Sequence, residues 1–315
     1  MKIVVLDGYA LNPGDNPWNE LQTLGNLEVF DRSRASEIQT RAKDADILLL
    51  NKVPLSAELM EQLPALKFVS VLATGYNVVD IAAARKRGIV VSNVPDYGTN
   101  TVAQYVMAML LELCHHVGQH ASAVRDGAWI SAPDWTFWKT PQVELYGKTM
   151  GIVGFGRIGR RVAQLAESFG MRVIYNSRQK YKGVSQEYRS IPELFAEADV
   201  VSLHCGLSSE NAGMVEGGLL GKMKRGAFLI NTARGGLINE NDLAAALNEG
   251  KIAGAALDVL SVEPPQSENL LLTAKNCLVT PHMAWATFEA RKRIMKTTIE
   301  NVKGFMSGSP INVVS

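Results

Sequence analysis

Short apolar runs alternate with longer stretches of helical spacing along almost all of this 315-residue chain. In the first third the runs fall at residues 3–6, 27–30, 47–50, 68–72 and 89–91. They are rich in Ile, Val and Leu and lack polar alternation, so they predict strands buried on both faces. Residues 57–63 and 79–86 are amphipathic between them, and Gly88 follows the second as a helix stop. That alternation predicts a parallel sheet flanked by helices. No glycine-rich phosphate turn follows any of these strands.

Residues 102–113 are apolar on nearly every face, which predicts a helix buried all round. Residues 125–147 are aperiodic and carry Trp129, Trp135, Phe137 and Trp138, predicting a long connection. Such aromatics suit either an interface or packing on the parent domain. Further strands are predicted at 150–153, 173–175, 200–203, 228–231, 255–257 and 278–280. A helix follows over 287–306, and Ser309-Pro310 ends it.

The run at 150–153 passes directly into Gly154, Gly156 and Gly159, which fit G-x-G-x-x-G. Ile158, Val162, Leu165, Ala166 and Phe169 then recur at helical spacing. Strand, glycine turn and helix stand in the order a dinucleotide site requires. There the helix N-terminus offers N–H groups and partial positive charge to a pyrophosphate. Both flanks are correct, and that lifts the motif above a chance glycine turn.

Composition adds exclusions. Net charge is +1, which gives no support for a nucleic-acid or anionic-membrane partner. No apolar run reaches a membrane span, and strand-like residues 3–6 follow Met1-Lys2 too soon for a signal peptide. Cys114, Cys205 and Cys277 are odd in number and far apart, as expected of reduced, mostly buried thiols in a cytoplasmic protein.

Three residues stand just after predicted strands of the second half: Arg234, Glu263 and His282. In an open α/β sheet, ligands sit outside the carboxyl ends of the strands. An arginine there can bind a carboxylate and polarise a carbonyl. A histidine can donate a proton near neutral pH, and a carboxylate can orient it and favour its charged form. His116 and His120 stand four apart, but no third ligand is apparent, so no metal site is expected.

The segments 72–80 (L-A-T-G-Y-N-V-V-D), 154–159, 231–236 (N-T-A-R-G-G), 253–259 (A-G-A-A-L-D-V), 263–265 (E-P-P) and 280–282 (T-P-H) resemble the D-isomer-specific 2-hydroxyacid dehydrogenase family across essentially the whole chain. Residues 282–287 and 102–104 are most similar to its glycerate dehydrogenase (hydroxypyruvate reductase) branch, with Gln104 and Trp285 departing from the wider pattern. The resemblance implies an α/β fold of two Rossmann-like parallel-sheet domains. A coenzyme domain, 99–286, would be inserted into a flavodoxin-like substrate domain of 1–98 and 287–315. It implies that Thr74 and Gly75 offer N–H groups to a substrate carboxylate, with Trp285 also at the substrate. Arg234 would bind carboxylate and carbonyl oxygen, and His282, paired with Glu263, would be the general acid. Arg157 and Ile158 of the glycine turn, Cys205, Gly206, Thr232 and Ala233 would line the cofactor, and Asp258 would hold its carboxamide. The expected partner is a small 2-keto or 2-hydroxy acid, and the expected assembly a homodimer through the coenzyme domain. A 3-phosphoglycerate dehydrogenase and a dinucleotide-sensing co-repressor remain as alternatives.

The expected cofactor is NAD or NADP. An acidic residue about 20 positions beyond the glycine turn ordinarily binds the adenosine ribose. Here Asn176 takes its place, followed by Ser177 and Arg178, and no carboxylate appears before Glu187. Without the acid a 2′-phosphate is not repelled, and Arg178 and Ser177 can bind it. The balance is toward NADPH, with NADH use open.

Overall fold

The computed structural model describes all 315 residues. The chain divides into two compact units, Met1–Gly98 with Ala286–Ser315, and Thr99–Trp285.

The first unit holds a five-stranded parallel sheet of β1 (Lys2–Val5), β2 (Asn26–Val29), β3 (Ile47–Leu50), β4 (Phe68–Val71) and β5 (Val90–Ser92), in the order 2-1-3-4-5. That is the flavodoxin-like arrangement. β3 and β4 are buried along their whole length, as their unbroken apolar runs require. Helix Phe288–Met306 packs on the sheet, and Phe305 stacks on Phe68 with ring centroids 4.6 Å apart. Such a pair adds about 0.5–1.5 kcal/mol beyond its buried area. Residues beyond the helix return to the sheet through an antiparallel bridge between Val313 and Ser92.

The second unit is built on seven parallel strands: β6 (Thr149–Val153), β7 (Arg172–Asn176), β8 (Glu187–Tyr188), β9 (Val200–Leu203), β10 (Phe228–Asn231), β11 (Gly254–Leu257) and β12 (Cys277–Val279). Their order is 12-11-10-9-6-7-8, so the chain reverses direction across the sheet between β6 and β9. This is the Rossmann arrangement, with its ligand crevice at the switch point. Two apolar clusters cover the two faces, one centred on helices Thr99–His115 and Arg157–Ser168, the other on Ile191–Glu197 and Glu240–Asn248.

Several local expectations shift. Helix Thr99–His115 is not buried all round, because Gln104 and Ala108 stay exposed. β12 stops at Val279, one residue before the expected end, because Thr280 turns its hydroxyl to Asp258. The connection after Arg125 contains no helix or strand until Thr149, and Trp129, Trp135 and Trp138 are 53%, 86% and 68% exposed. His120 is engaged locally, with Nδ1 2.9 Å from the His116 carbonyl and Nε2 accepting the Lys139 N–H. No helix is long and apolar enough to cross a membrane.

Candidate active site

Because every pair in the seven-stranded sheet is parallel, the segments that follow the strands share one edge. Read across the sheet, that edge carries His282 after β12, Glu263 after β11, Arg234 after β10, His204 and Cys205 after β9, the glycine turn after β6, and Ser177 and Arg178 after β7.

The glycine turn is built by close approach. Gly154 has φ +97°, and a Cβ there would stand 2.6 Å from the backbone of His204 and Cys205. A Cβ on Gly159 would meet the Gly154 carbonyl at 2.2 Å. Gly156 differs, since nothing lies within 4 Å of where its Cβ would be. It caps helix Arg157–Ser168, whose first bond runs from Arg160 N–H to Gly156 O, so the N–H groups of Ile158 and Gly159 have no acceptor within the helix. Open space before a helix N-terminus suits a pyrophosphate. These residues fit a dinucleotide.

Beside it, Asn231, 0% exposed at the end of β10, shapes the Arg234 turn: Nδ2 donates to Arg234 O and Oδ1 accepts the Ala233 N–H. The Arg234 guanidinium is exposed and donates to the Ala233 carbonyl at 2.7 Å. Gly235 then packs on the Glu263 loop so closely that a Cβ would lie 1.9 Å from Leu260 C. Glu240 fixes that loop from the other side, accepting the Ser261 N–H and hydroxyl and the Asn269 amide.

Glu263 and His282 are brought together. Glu263 Oε1 accepts the Leu260 N–H at 3.0 Å, and Oε2 lies 2.6 Å from His282 Nδ1. Their side chains are 34% and 29% exposed, which leaves the pair open to a ligand. His282 sits at φ +51°, a left-handed conformation that costs energy in a non-glycine residue. Asp258 holds it there. Its carboxylate, 1% exposed, accepts the Thr280 hydroxyl at 2.7 Å and the N–H groups of Met283 and Ala284 at 2.9 and 2.8 Å. Burial pushes this carboxyl up, against those three hydrogen bonds and the nearby His282, which pull it down. The structure thus gives Asp258 a turn-holding duty that the motif alone did not disclose.

His204 was not singled out from the sequence. Its Nε2 lies 2.9 Å from Ser202 Oγ, and burial pushes its pKa down to about 4, so it is neutral at ordinary pH. Cys205 lies partly buried beside Asn211, whose amide donates to Gly206 O at 2.8 Å, and burial pushes its thiol up. The Thr232 hydroxyl is buried without a partner. At the end of β7, Asn176 donates to the Arg189 carbonyl at 2.7 Å, and Ser177 donates to Gln179 O at 2.5 Å. Arg178 is exposed and unpaired. Thr74, Gly75 and their turn belong to the other unit, after β4.

The fold and these residues define a dinucleotide-dependent α/β enzyme with a histidine–carboxylate pair on its ligand edge. The model of the D-isomer specific 2-hydroxyacid dehydrogenase NAD binding domain matches residues 107–284. A hydroxypyruvate reductase of Blautia hydrogenotrophica is 48% identical, over 100% of both chains. A glycerate dehydrogenase of Methylorubrum extorquens is 39% identical, over 99% of this chain and 98% of its own. Among solved structures, an NADPH-dependent glyoxylate/hydroxypyruvate reductase of Sinorhizobium meliloti, in complex with NADP and malonate, superposes with a TM-score of 0.86 at 28% identity, covering 100% of this chain and 96% of that one. The chain belongs to the D-isomer-specific 2-hydroxyacid dehydrogenase family, and its cofactor is NAD(P).

Proposed function

We propose that the protein reduces a small 2-keto acid, hydroxypyruvate or glyoxylate, to the D-2-hydroxy acid with NAD(P)H. The observation that carries this reading is the 2.6 Å contact between His282 and Glu263 on the sheet edge that also bears the glycine turn.

The roles follow from chemistry. Gly154, Gly156, Arg157, Ile158 and Gly159 would hold the pyrophosphate, Cys205, Gly206, Thr232 and Ala233 would line the cofactor, and Asp258 would hold its carboxamide. When bound, the reduced nicotinamide would supply the hydride that reduces the carbonyl carbon. Negative charge then grows on the carbonyl oxygen, where Arg234 stabilises it. His282, protonated and oriented by Glu263, delivers the proton to that oxygen. Thr74 and Gly75 are assigned the substrate carboxylate, and Trp285 a place at the substrate. Exposed, unpaired Arg178 favours NADPH, since a free cation at the end of β7 can meet a 2′-phosphate.

The proposal includes a cytoplasmic homodimer formed through the Thr99–Trp285 unit. Ile130, Trp135 and Trp138 support it, being 92%, 86% and 68% exposed on one connection. Light scattering of the purified protein would give twice the chain mass. The activity is tested by kcat/KM for hydroxypyruvate, glyoxylate and 3-phosphohydroxypyruvate with each cofactor. The highest value should fall on one of the two unphosphorylated acids, and a clear preference for the phosphorylated one would overturn the assignment.

A further inference from the structure

In the first unit, a chain of amides, half-buried at Asn312 and buried at Asn301 and Asn93, runs from the C-terminal segment to the turn after β4. Asn312 Nδ2 donates to Asn301 Oδ1 at 2.8 Å, and the Asn312 carbonyl accepts the Asn93 N–H at 3.1 Å. Asn301, 0% exposed within the last helix, donates to the Asn93 carbonyl at 2.8 Å and to Ser70 Oγ at 3.3 Å. Asn93, itself buried, then donates from Nδ2 to the Thr74 carbonyl at 2.7 Å. Thr74 is held a second time where its hydroxyl donates to Val94 O at 2.9 Å.

The consequence is set by peptide planarity. The Thr74 carbonyl and the Gly75 N–H belong to one trans peptide, so they point in opposite directions. A bond that fixes the carbonyl therefore fixes the N–H, and the Gly75 N–H donates to no group within the chain. We infer that Asn93 is a positioning residue for substrate binding, aiming the Gly75 N–H through the Thr74 carbonyl, and that Asn301 and Asn312 hold Asn93 in place. This rests on the reading of the Thr74–Gly75 turn as the seat of the substrate carboxylate. A connected, largely buried amide network suits the task because each hydrogen bond restricts the geometry of the next member.

The test combines kinetics with hydrogen–deuterium exchange on Asn93→Ala and, should that variant not fold, on Asn312→Ala, which touches the turn only through the relay. Both are compared with wild type at equal temperature below their thermal midpoints. Faster exchange in peptides covering 73–78 is expected, together with a KM for hydroxypyruvate raised about three- to tenfold for the loss of one hydrogen bond. The KM for the nicotinamide cofactor should not change, and kcat should change less than the keto-acid KM. Unaltered exchange at 73–78 in a folded variant would overturn the inference. Faster exchange with an unchanged keto-acid KM would leave Asn93 as the anchor of the turn and remove the carboxylate from it, so the two failures are distinguishable.

Discussion

Glu263 and His282 meet at 2.6 Å with the other oxygen of Glu263 tied to the Leu260 N–H, so the carboxylate orients the imidazole from a fixed position. In Glu263→Gln the carboxylate that holds the ring at Nδ1 is replaced by a neutral amide. The reductive kcat should fall by roughly tenfold or more, because general acid catalysis needs a positioned donor. Steady-state kinetics of the two proteins, with the cofactor KM as control, check this. An unchanged kcat would mean that Glu263 does not position His282.

Gly154 and Gly156 should separate folding from binding. Gly154→Ala forces a Cβ into backbone at φ +97°, so its thermal midpoint should drop by several degrees, as a loss of about 1–3 kcal/mol implies. Gly156→Ala enters open space and should keep the wild-type midpoint, yet weaken cofactor binding about tenfold or more, because its methyl group takes the place of the pyrophosphate. Calorimetric unfolding and cofactor titration of both variants make the comparison.

Much of the site was legible because its signals are local. The glycine turn needs small residues at fixed offsets, and buried parallel strands need unbroken apolar runs, so both announce themselves in order along the chain. What stayed hidden depends on partners far away in sequence. Nothing in Asp258 or Glu240 predicts that one holds the 280–284 turn and the other the 260–263 loop. Asn176 stands where a ribose-binding acid is expected, but its amide is directed to Arg189 O, a contact fixed only when β8 forms. β8 is two residues long and has no periodicity to read.

His204 predicts a pH effect on stability. Burial holds it at about 4 in the folded state, below its ordinary 6.5, so the unfolded chain binds the extra proton first. Its contribution is complete above pH 6.5 and is lost as pH falls through about 4. In His204→Asn the decline of the thermal midpoint over that interval should be shallower than in wild type. Equal slopes would mean that His204 is not held neutral by the fold.

Arg178 is predicted to discriminate between cofactors. Arg178→Ala should raise the KM for NADPH about tenfold, as loss of a hydrogen bond to a charged group implies, and leave the KM for NADH unchanged. Should wild type prefer NADH and the substitution alter neither value, the 2′-phosphate does not bind at this loop.

The central claim is tested most directly by incubating the protein with hydroxypyruvate and reduced cofactor and following cofactor oxidation together with the configuration of the product. The account predicts D-glycerate in a one-to-one ratio with cofactor oxidised. It also predicts that Arg234→Ala loses about a hundredfold or more in rate while binding the cofactor as wild type does. Formation of L-glycerate, no turnover by a protein that binds the cofactor, or near-normal turnover by Arg234→Ala would contradict it.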